Sequence, residues 1–305
     1  MKKFIKNIIL FIIPLLIILP IVEIYLRSIP NAYKLKNLFM ENHAGEIETL
    51  VFGSSHTYHA INPTLFKSKC FNIAYSSQDL KRDVFLFDRF IENMSSLKQI
   101  VIAISYHTLP EMMEDFSSSE TLLKYYGIYM DYPSTRFSLE LTIPQWKNKF
   151  LMHVKGENTC KCNYLGFGTD YTIENRKKDL NLHNANITAK YHTNKNPSHV
   201  KENMAILYHF ANICKEKNIK LIILTTPVTD LYSSCLDPTQ LNLMHKSINE
   251  ILDAYPETIY LNFMNDKRFN HNDFYDVDHL NTNGAQKFTT ILTAIIDLHN
   301  FSNRD

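Results

Sequence analysis

The chain has 305 residues, of which 45% are hydrophobic and 21% are charged, so it can bury one substantial core and is not a low-complexity sequence. Lysine and arginine number 32 and aspartate and glutamate 31, which leaves a formal net charge of +1. Binding to a phosphate backbone requires a stripe of basic residues, and none runs through the sequence. We therefore do not expect nucleic acid as a partner.

The first 29 residues predict a membrane anchor. A charge-free apolar run extends from Ile8 to Val22, after three lysines. Flanking apolar residues lengthen it towards the roughly 20 residues that a hydrocarbon core requires. No small-residue cleavage pattern follows, so we expect an uncleaved signal anchor rather than a removed signal peptide or a buried core helix. The tight lysine cluster before the run favours a cytoplasmic N-terminus and an extracytoplasmic domain.

Residues 30–47 are polar and are interpreted as a linker or a short surface helix. From residue 48 to residue 305, short β-branched and aromatic runs alternate with helical patterns. The runs predict strands at Thr49–Phe52, Cys70–Ala74, Gln99–Ser105, Lys220–Thr226 and Thr258–Phe263. The patterns predict helices at Asp79–Met94, Ser198–Asn218 and Pro238–Tyr255, and from Asn281 onwards. This alternation predicts a parallel sheet covered on both faces, a doubly wound α/β fold.

Residues 108–197 interrupt this alternation. The stretch is rich in tyrosine, asparagine, serine and lysine, and it contains the only tryptophan, Trp146. It is too long for a plain connection, so we interpret it as an insertion in the 48–305 domain that caps one end of the sheet. A surface elaboration or a partner contact is the alternative.

Small and polar residues follow three of the predicted strands. They are Gly53–His56, Asn72–Gln78 and Ser105–His107. Ligands of open parallel sheets bind at the carboxyl ends of the strands, so these segments are expected to form a site.

A fourth segment near the C-terminus supplies a carboxylate and an imidazole. Asp276 and His279 are three residues apart, close enough to touch, so Asp276 is expected to orient the ring. Ser55 is the candidate nucleophile, which would complete a Ser–His–Asp triad. The alternatives are that Ser55 only permits a tight turn and that His279 caps a helix.

The aspartates and histidines of these segments also raise the alternative of a metal site, with ligands drawn from separated parts of the chain. The candidate ligands are His56, His59, His271, Asp273, Asp276, Asp278 and His279. The five cysteines contain no C-x-x-C pair, and their pairing stays open. The expectation is that the site holds no metal and no cofactor.

These motifs resemble those of the SGNH, or GDSL-like, hydrolases. Gly53-Ser54-Ser55 is similar to the family's Gly-Asp-Ser block, and Asp276–His279 is similar to its terminal Asp-x-x-His block. The resemblance implies a flavodoxin-like three-layer α/β/α sandwich with a parallel sheet. It also implies that Ser55 is the nucleophile, that His279 is the base and that Asp276 orients the base.

Two further blocks of the family are matched with changes. The segment from Asn72 resembles the block in which a glycine N–H binds the oxyanion, and Ser77 holds the glycine position. His107 holds the position of the asparagine in the family's Gly-x-Asn block. The resemblance implies an oxyanion hole formed by the N–H groups of Ser55 and Ser77 and the side chain of His107. It covers residues 48–107 and 220–297.

A membrane anchor before such a domain is similar to the cell-envelope branch of the family, the DltD-like and AlgJ/AlgX-like proteins of bacterial surface polymers. This resemblance implies an esterase or O-acyltransferase that acts on acyl groups, acetyl or similar, of a cell-envelope polysaccharide or another acylated glycan. It also implies a membrane-bound acyl-transfer partner. The alternative is a non-catalytic SGNH-like envelope protein that binds a glycan or a partner protein.

Overall fold

The computed structural model describes residues 1–133, 138–176, 179–193 and 198–302. Their contacts form two compact units. Unit 1 comprises Met1–Asn37 and Ser117–Lys161, and unit 2 comprises Leu38–Phe116 and Cys162–Asp305. The predicted insertion 108–197 is therefore divided, because its middle part belongs to unit 1 and its two ends belong to unit 2.

The described residues of unit 2 contain a five-stranded parallel sheet with the strand order β2-β1-β3-β4-β5. The strands are β1 Thr49–Phe52, β2 Cys70–Asn72, β3 Gln99–Ala103, β4 Lys220–Thr225 and β5 Ile259–Asn262. The register pairs Leu50 with Phe71 on one side and with Ile100 on the other. This order is that of the flavodoxin-like doubly wound fold, with its switch point between β1 and β3. The predicted α/β fold is confirmed, and each strand boundary lies within two residues of its predicted position.

Helices account for most of the remaining regular structure in the described residues. The α-helices are α1 Lys2–Ser28, α2 Ala32–His43, α3 Ser55–Tyr58, α4 Leu80–Phe90, α5 Ser119–Tyr129, α6 Trp146–Val154, α7 Leu182–His192, α8 Ser198–Glu216, α9 Asp230–Ser233, α10 Pro238–Ala254 and α11 Thr282–Ser302. Short 3-10 helices lie at Ala44–Glu46, Pro63–Leu65, Ile91–Asn93, Met113–Asp115, Glu140–Thr142 and His271–Asp273.

Strands β1 to β4 are almost entirely buried, and since successive side chains of a strand point to opposite faces, both faces of this part of the sheet are covered. Val51 belongs to a buried cluster with Phe288 and Leu292 of α11. The next residue, Phe52, contacts Phe87 of α4 and Phe210 of α8 instead, with ring centroids 6.0 and 5.3 Å apart. Burial of each such ring stabilises the fold by roughly 1.5–3 kcal/mol. This packing fixes β1 and therefore the segment that follows it.

The N-terminal helix α1 is long and apolar enough to cross a membrane, as either an anchor or a signal sequence. Its 27 residues span roughly 40 Å. Near its end, Glu23 accepts a hydrogen bond from Arg27 Nε at 2.7 Å and from the N–H groups of Glu140 and Leu141 at 2.9 and 3.1 Å. Within unit 1, the last turns of α1 are thus bound to the 3-10 helix Glu140–Thr142. The predicted linker, residues 30–47, contains α2.

Candidate active site

The turn after β1 requires glycine. Gly53 has φ +123°, and a Cβ atom there would lie 2.6 Å from Thr57 Oγ1. Thr57 Oγ1 in turn donates a hydrogen bond to Phe52 O at 3.0 Å, which closes the turn. Ser54 is the N-cap of α3, and Ser55 is its first residue. Ser55 therefore lies at the carboxyl end of β1 with its position fixed by backbone geometry.

Ser55, His279 and Asp276 form a continuous row of side-chain contacts, here called the outer row. Ser55 Oγ lies 2.8 Å from His279 Nε2, although 224 residues separate the two in the chain. His279 Nδ1 lies 2.9 and 3.1 Å from the two oxygens of Asp276. Asp276 Oδ1 also accepts the N–H of His279 at 2.8 Å. The structure thus brings together the three residues that the sequence motifs single out.

The segment that carries Asp276 and His279 is fixed by its neighbours. Thr229, which follows β4, donates its N–H and its hydroxyl to Val277 O at 3.0 and 2.6 Å. Asn281 Nδ2 donates to Phe274 O at 3.1 Å. Because these bonds hold the segment on both sides of residue 276, its carboxylate stays in register with the imidazole.

A second row of the same three residue types lies beside the first, here called the inner row. Ser105 Oγ lies 2.6 Å from His56 Nδ1, and His56 Nε2 lies 3.1 Å from Asp278 Oδ2. The side chains of His56 and Asp278 are only 2% and 3% exposed. The rows meet where Asp278 Oδ1 lies 3.4 Å from His279 Nδ1.

Four imidazoles form a chain of ring contacts through the site. The ring centroids are 4.7 Å apart for His279 and His56, 5.0 Å for His56 and His107, and 4.3 Å for His107 and His192. His192 Nδ1 also lies 2.8 Å from the Tyr232 hydroxyl. Buried imidazoles this close cannot all be protonated, so their pKa values must diverge.

Burial and the two carboxylates separate these pKa values. Burial lowers the pKa of His56 and brings that of His192 down to about 4, and it holds the pKa of His107 well below its usual range. Burial acts on His279 in the same direction, but the charges of Asp276 and Asp278 outweigh it and raise the pKa of His279 well above its usual range. Of these four imidazoles, that of His279 is therefore the most readily protonated.

Three of the candidate metal ligands lie close together in this site. Of its candidate ligands, His56, Asp278 and His279 have ligand atoms within 4.8 Å of one another in the described residues. His56 Nε2 already contacts Asp278, and His279 Nδ1 already contacts Asp276. Asp273 is instead bound to Lys287 Nζ at 2.9 Å. An ion bound to His279 Nδ1 would break the outer row.

The two other residues of the expected oxyanion hole line the same cavity as Ser55. Ser77 has φ +60°, in the left-handed region that glycine occupies most readily. Neither the Ser55 N–H nor the Ser77 N–H donates to another described residue. His107 Nδ1 is buried and likewise has no partner in the described part of the chain.

The cavity has a volume of about 90 Å³. It is lined by residues that follow β1 and β2, by the end of β3, by α4, by the segment from residue 107 to residue 116, by α7 and by His279. Three of the lining residues are acids, namely Asp79, Asp83 and Glu111. A hydroxyl, a histidine and free backbone N–H groups on one small cavity suit nucleophilic attack on a carbonyl carbon.

Sequence reasoning did not assign roles to several residues of this site. His56 and Asp278 entered it only as metal-ligand candidates, although they are the direct neighbours of Ser55 and His279 in the chain. His192 and Glu111 lie within the predicted insertion, where no motif marks them. Only the fold, which places their segments around the cavity, identifies them.

Two solved structures are similar to this chain. One is a protein of Bacteroides fragilis NCTC 9343 assigned as an acylhydrolase, with 12% identity, a TM-score of 0.43 and coverage of 85% of this chain and 95% of that one. The other is a GDSL-like lipase of Bacteroides thetaiotaomicron VPI-5482, with 11% identity, a TM-score of 0.43 and coverage of 88% and 98%. No protein-family model and no curated protein matches the chain. The assignment of the fold follows from the strand order and register of this chain's own sheet.

Proposed function

We propose that the protein is a serine esterase or O-acyltransferase that forms an acyl intermediate on Ser55. The observation that carries the proposal is the outer row, in which Ser55 Oγ lies 2.8 Å from His279 Nε2 and Asp276 lies on the other ring nitrogen. This is the arrangement that activates a serine hydroxyl and stabilises the imidazolium formed. An isolated structural serine or a capping histidine would need no such row.

The reaction follows from these positions. Ser55 Oγ attacks the carbonyl carbon of an ester, and its proton passes to His279 Nε2. The N–H groups of Ser55 and Ser77 and the His107 ring stabilise the oxyanion of the tetrahedral intermediate. When the ester C–O bond breaks, His279 returns the proton to the leaving alcohol and the acyl group stays on Ser55. Water or a sugar hydroxyl then attacks the acyl-serine, again losing its proton to His279.

The base requires a particular pH range. A general base must be neutral, and the carboxylates of Asp276 and Asp278 raise the pKa of His279 well above its usual range. The reaction is therefore favoured on the alkaline side of that pKa. At lower pH the imidazolium donates to Ser55 instead of accepting its proton.

The substrate and location are proposed from the resemblance and from α1. An apolar helix of 27 residues is suited to hold the enzyme at a membrane, with the sheet domain on the extracytoplasmic side. The proposed substrate is an acylated cell-envelope polysaccharide or other glycan, and a membrane-bound acyl donor protein is the proposed partner in transfer.

A fluorophosphonate probe tests the proposal directly because it labels only an activated serine. We expect wild-type protein to be labelled more rapidly at pH 9 than at pH 7, and Ser55→Ala to remain unlabelled at both. A control serine hydrolase must react under the same conditions. Folded protein that stays unlabelled at both pH 7 and pH 9 would overturn the proposal.

The second candidate, a non-catalytic glycan- or partner-binding protein, is favoured by one observation. The raised pKa of His279 favours the protonated form of its ring, which suits a binding site better than a base. The probe separates the two functions, since a binding protein stays unlabelled even at pH 9.

A further inference from the structure

Two of the three acids that line the cavity are bound within the protein. Asp79 Oδ2 accepts a hydrogen bond from Arg82 Nη1 at 2.9 Å, and Asp79 Oδ1 caps α4. Asp83 Oδ1 accepts a hydrogen bond from Gln78 Nε2 at 2.6 Å and from the Gly53 N–H at 3.2 Å. These contacts give both carboxyl groups a structural role in holding the turn and the helix.

Glu111 differs from both. Its side chain is on the cavity wall, the residue is only 8% exposed, and its carboxyl group makes no hydrogen bond or ion pair with a described residue. The backbone around it is fixed, because Asn203 Nδ2 donates to the carbonyl groups of Leu109 and Glu111 at 2.8 and 3.1 Å. A carboxyl group on the cavity wall that makes no bond to a described residue is available to a hydrogen-bonding ligand.

The protonation state of the Glu111 carboxyl group determines which ligand groups it can bind. Burial, together with the charge of Asp115, raises the pKa of Glu111 to about 8. At neutral pH the group is therefore mostly protonated, so it can both donate and accept a hydrogen bond. It can also ionise when a cationic group arrives, since an opposite charge lowers the pKa of a carboxyl group.

The rest of the wall offers little to an anionic acyl group. No lysine or arginine is among the described residues that line the cavity, and within that part of the chain a carboxylate or phosphate on the ligand would meet a cationic group only in the His279 ring, which the proposed reaction uses as its base. The volume of about 90 Å³ corresponds to roughly three waters, which suits a small acyl group rather than a long lipid chain.

We propose that the cavity selects a small acyl group that carries a hydroxyl or an amine, and that Glu111 binds this donor. The inference rests on the proposed function, because it places the acyl group in the cavity that Ser55 and His279 share. Glu111 then determines specificity, while His107, Ser77 and Ser55 bind the carbonyl oxygen. The donor on the acyl group gives the Glu111 carboxyl group the partner that no described residue supplies.

The experiment compares acetyl, hydroxyacetyl and glycyl esters of one fluorogenic alcohol, with the Ser55→Ala rate subtracted as the blank. We expect wild-type kcat/KM to favour at least one donor-bearing ester over acetyl by about tenfold or more. In Glu111→Met this ratio should fall close to one, because methionine fills the same space without a polar group. Phe116→Leu, a change of shape on the same wall, should keep the ratio.

Glu111→Gln separates the two donors. Glutamine keeps a donor and an acceptor but cannot ionise, so a preference for hydroxyacetyl should survive this change and a preference for glycyl should not. Equal wild-type kcat/KM for the three esters, with turnover that depends on Ser55, would overturn the inference and leave the proposed function standing. Absence of turnover with every ester, together with absence of probe labelling, would overturn both.

Discussion

The outer and inner rows contain the same three residue types in the same order, yet their surroundings give them different chemistry. Ser55 lines the cavity, and the side chains of His279 and Asp276 are 13% and 21% exposed. Ser105 is only 3% exposed, and no part of it lines that cavity. The two rows therefore differ in access, and the proposed function requires a serine that also faces a space for substrate.

The imidazoles of the two rows differ in the same sense. Burial lowers the pKa of His56, whose ring contacts one carboxylate, whereas two carboxylates raise the pKa of His279. Asp278 is shared by both rings, at 3.1 Å from His56 Nε2 and 3.4 Å from His279 Nδ1. The inner row therefore positions a charge beside the outer row, and we infer that its role is to support His279.

The largest expected difference between the rows is in the histidines. We expect His279→Gln to lower kcat/KM for a small ester by about a thousandfold or more, because the base is lost. His56→Gln should lower it far less, since glutamine can still contact Ser105 and Asp278. Ester turnover measured on both folded variants checks this expectation. Equal losses in the two variants would show that the rows do not have separate roles.

A substitution in the turn should disturb both rows, because Ser55 and His56 follow it directly. In Gly53→Ala the new Cβ would lie 2.6 Å from Thr57 Oγ1 at a φ of +123°. We expect the free energy of unfolding to fall by about 3 kcal/mol in urea titrations.

Gly156→Ala is the matched control for this turn. Gly156 also has a positive φ, +73°, but no atom lies within 4 Å of a Cβ placed there. We therefore expect Gly156→Ala to lower the free energy of unfolding less than Gly53→Ala does. An equal decrease in the two variants would show that the contact with Thr57 has no part in the requirement for glycine.

Much of this arrangement is predictable from the sequence because the patterns that indicate it lie within single strands and short motifs. The short runs Thr49–Phe52 and Lys220–Thr225 are buried on both faces, so their composition alone identifies them as strands. The Ser55 and Asp276–His279 motifs lie directly after strand β1 and before helix α11, so their meeting follows from the topology of a parallel sheet.

The rest depends on contacts that no local pattern encodes. Residues 117–161 belong to the same unit as the N-terminal helix, and contacts within that unit, such as those of Glu23 with Glu140 and of Tyr33 with Tyr125, account for the grouping. The contacts of Asp278 are similarly hidden. One of its histidine partners, His56, lies 222 residues away in the chain, and the other, His279, is the adjacent residue. Glu111 carries no motif, and what distinguishes it is its burial and the lack of a partner for its carboxyl group among the described residues.

The loss of the inner serine should affect stability more than reactivity. Ser105→Ala leaves His56 Nδ1 buried without its contact at 2.6 Å, so we expect the free energy of unfolding to fall by about 2 kcal/mol. Labelling of Ser55 by the fluorophosphonate probe should persist. Ser233→Ala, which removes an exposed hydroxyl, is the control and should leave stability almost unchanged. Complete loss of labelling in a folded Ser105→Ala protein would contradict the division between the rows.

The smallest expected effect tests the link between the rows through its pH dependence. Asp278→Asn removes one of the two negative charges beside His279, so the pKa of His279 should fall. Because the neutral ring is the proposed base, the acid limb of the kcat/KM profile should move to lower pH, by about one unit. Asp230→Asn, which removes an exposed carboxylate bound to Lys267, should leave the limb in place.

The direction of that shift distinguishes an electrostatic role of Asp278 from a purely structural one. If Asp278 acted only by holding His56 in place, asparagine would lower kcat/KM at every pH and leave the midpoint of the limb unchanged. If its charge acts on His279, the variant gains relative activity at neutral pH, because less of its base is protonated there. A limb that moves to higher pH would contradict both roles. The pH profile therefore decides whether the inner row contributes its carboxylate or only its packing to the reactive row.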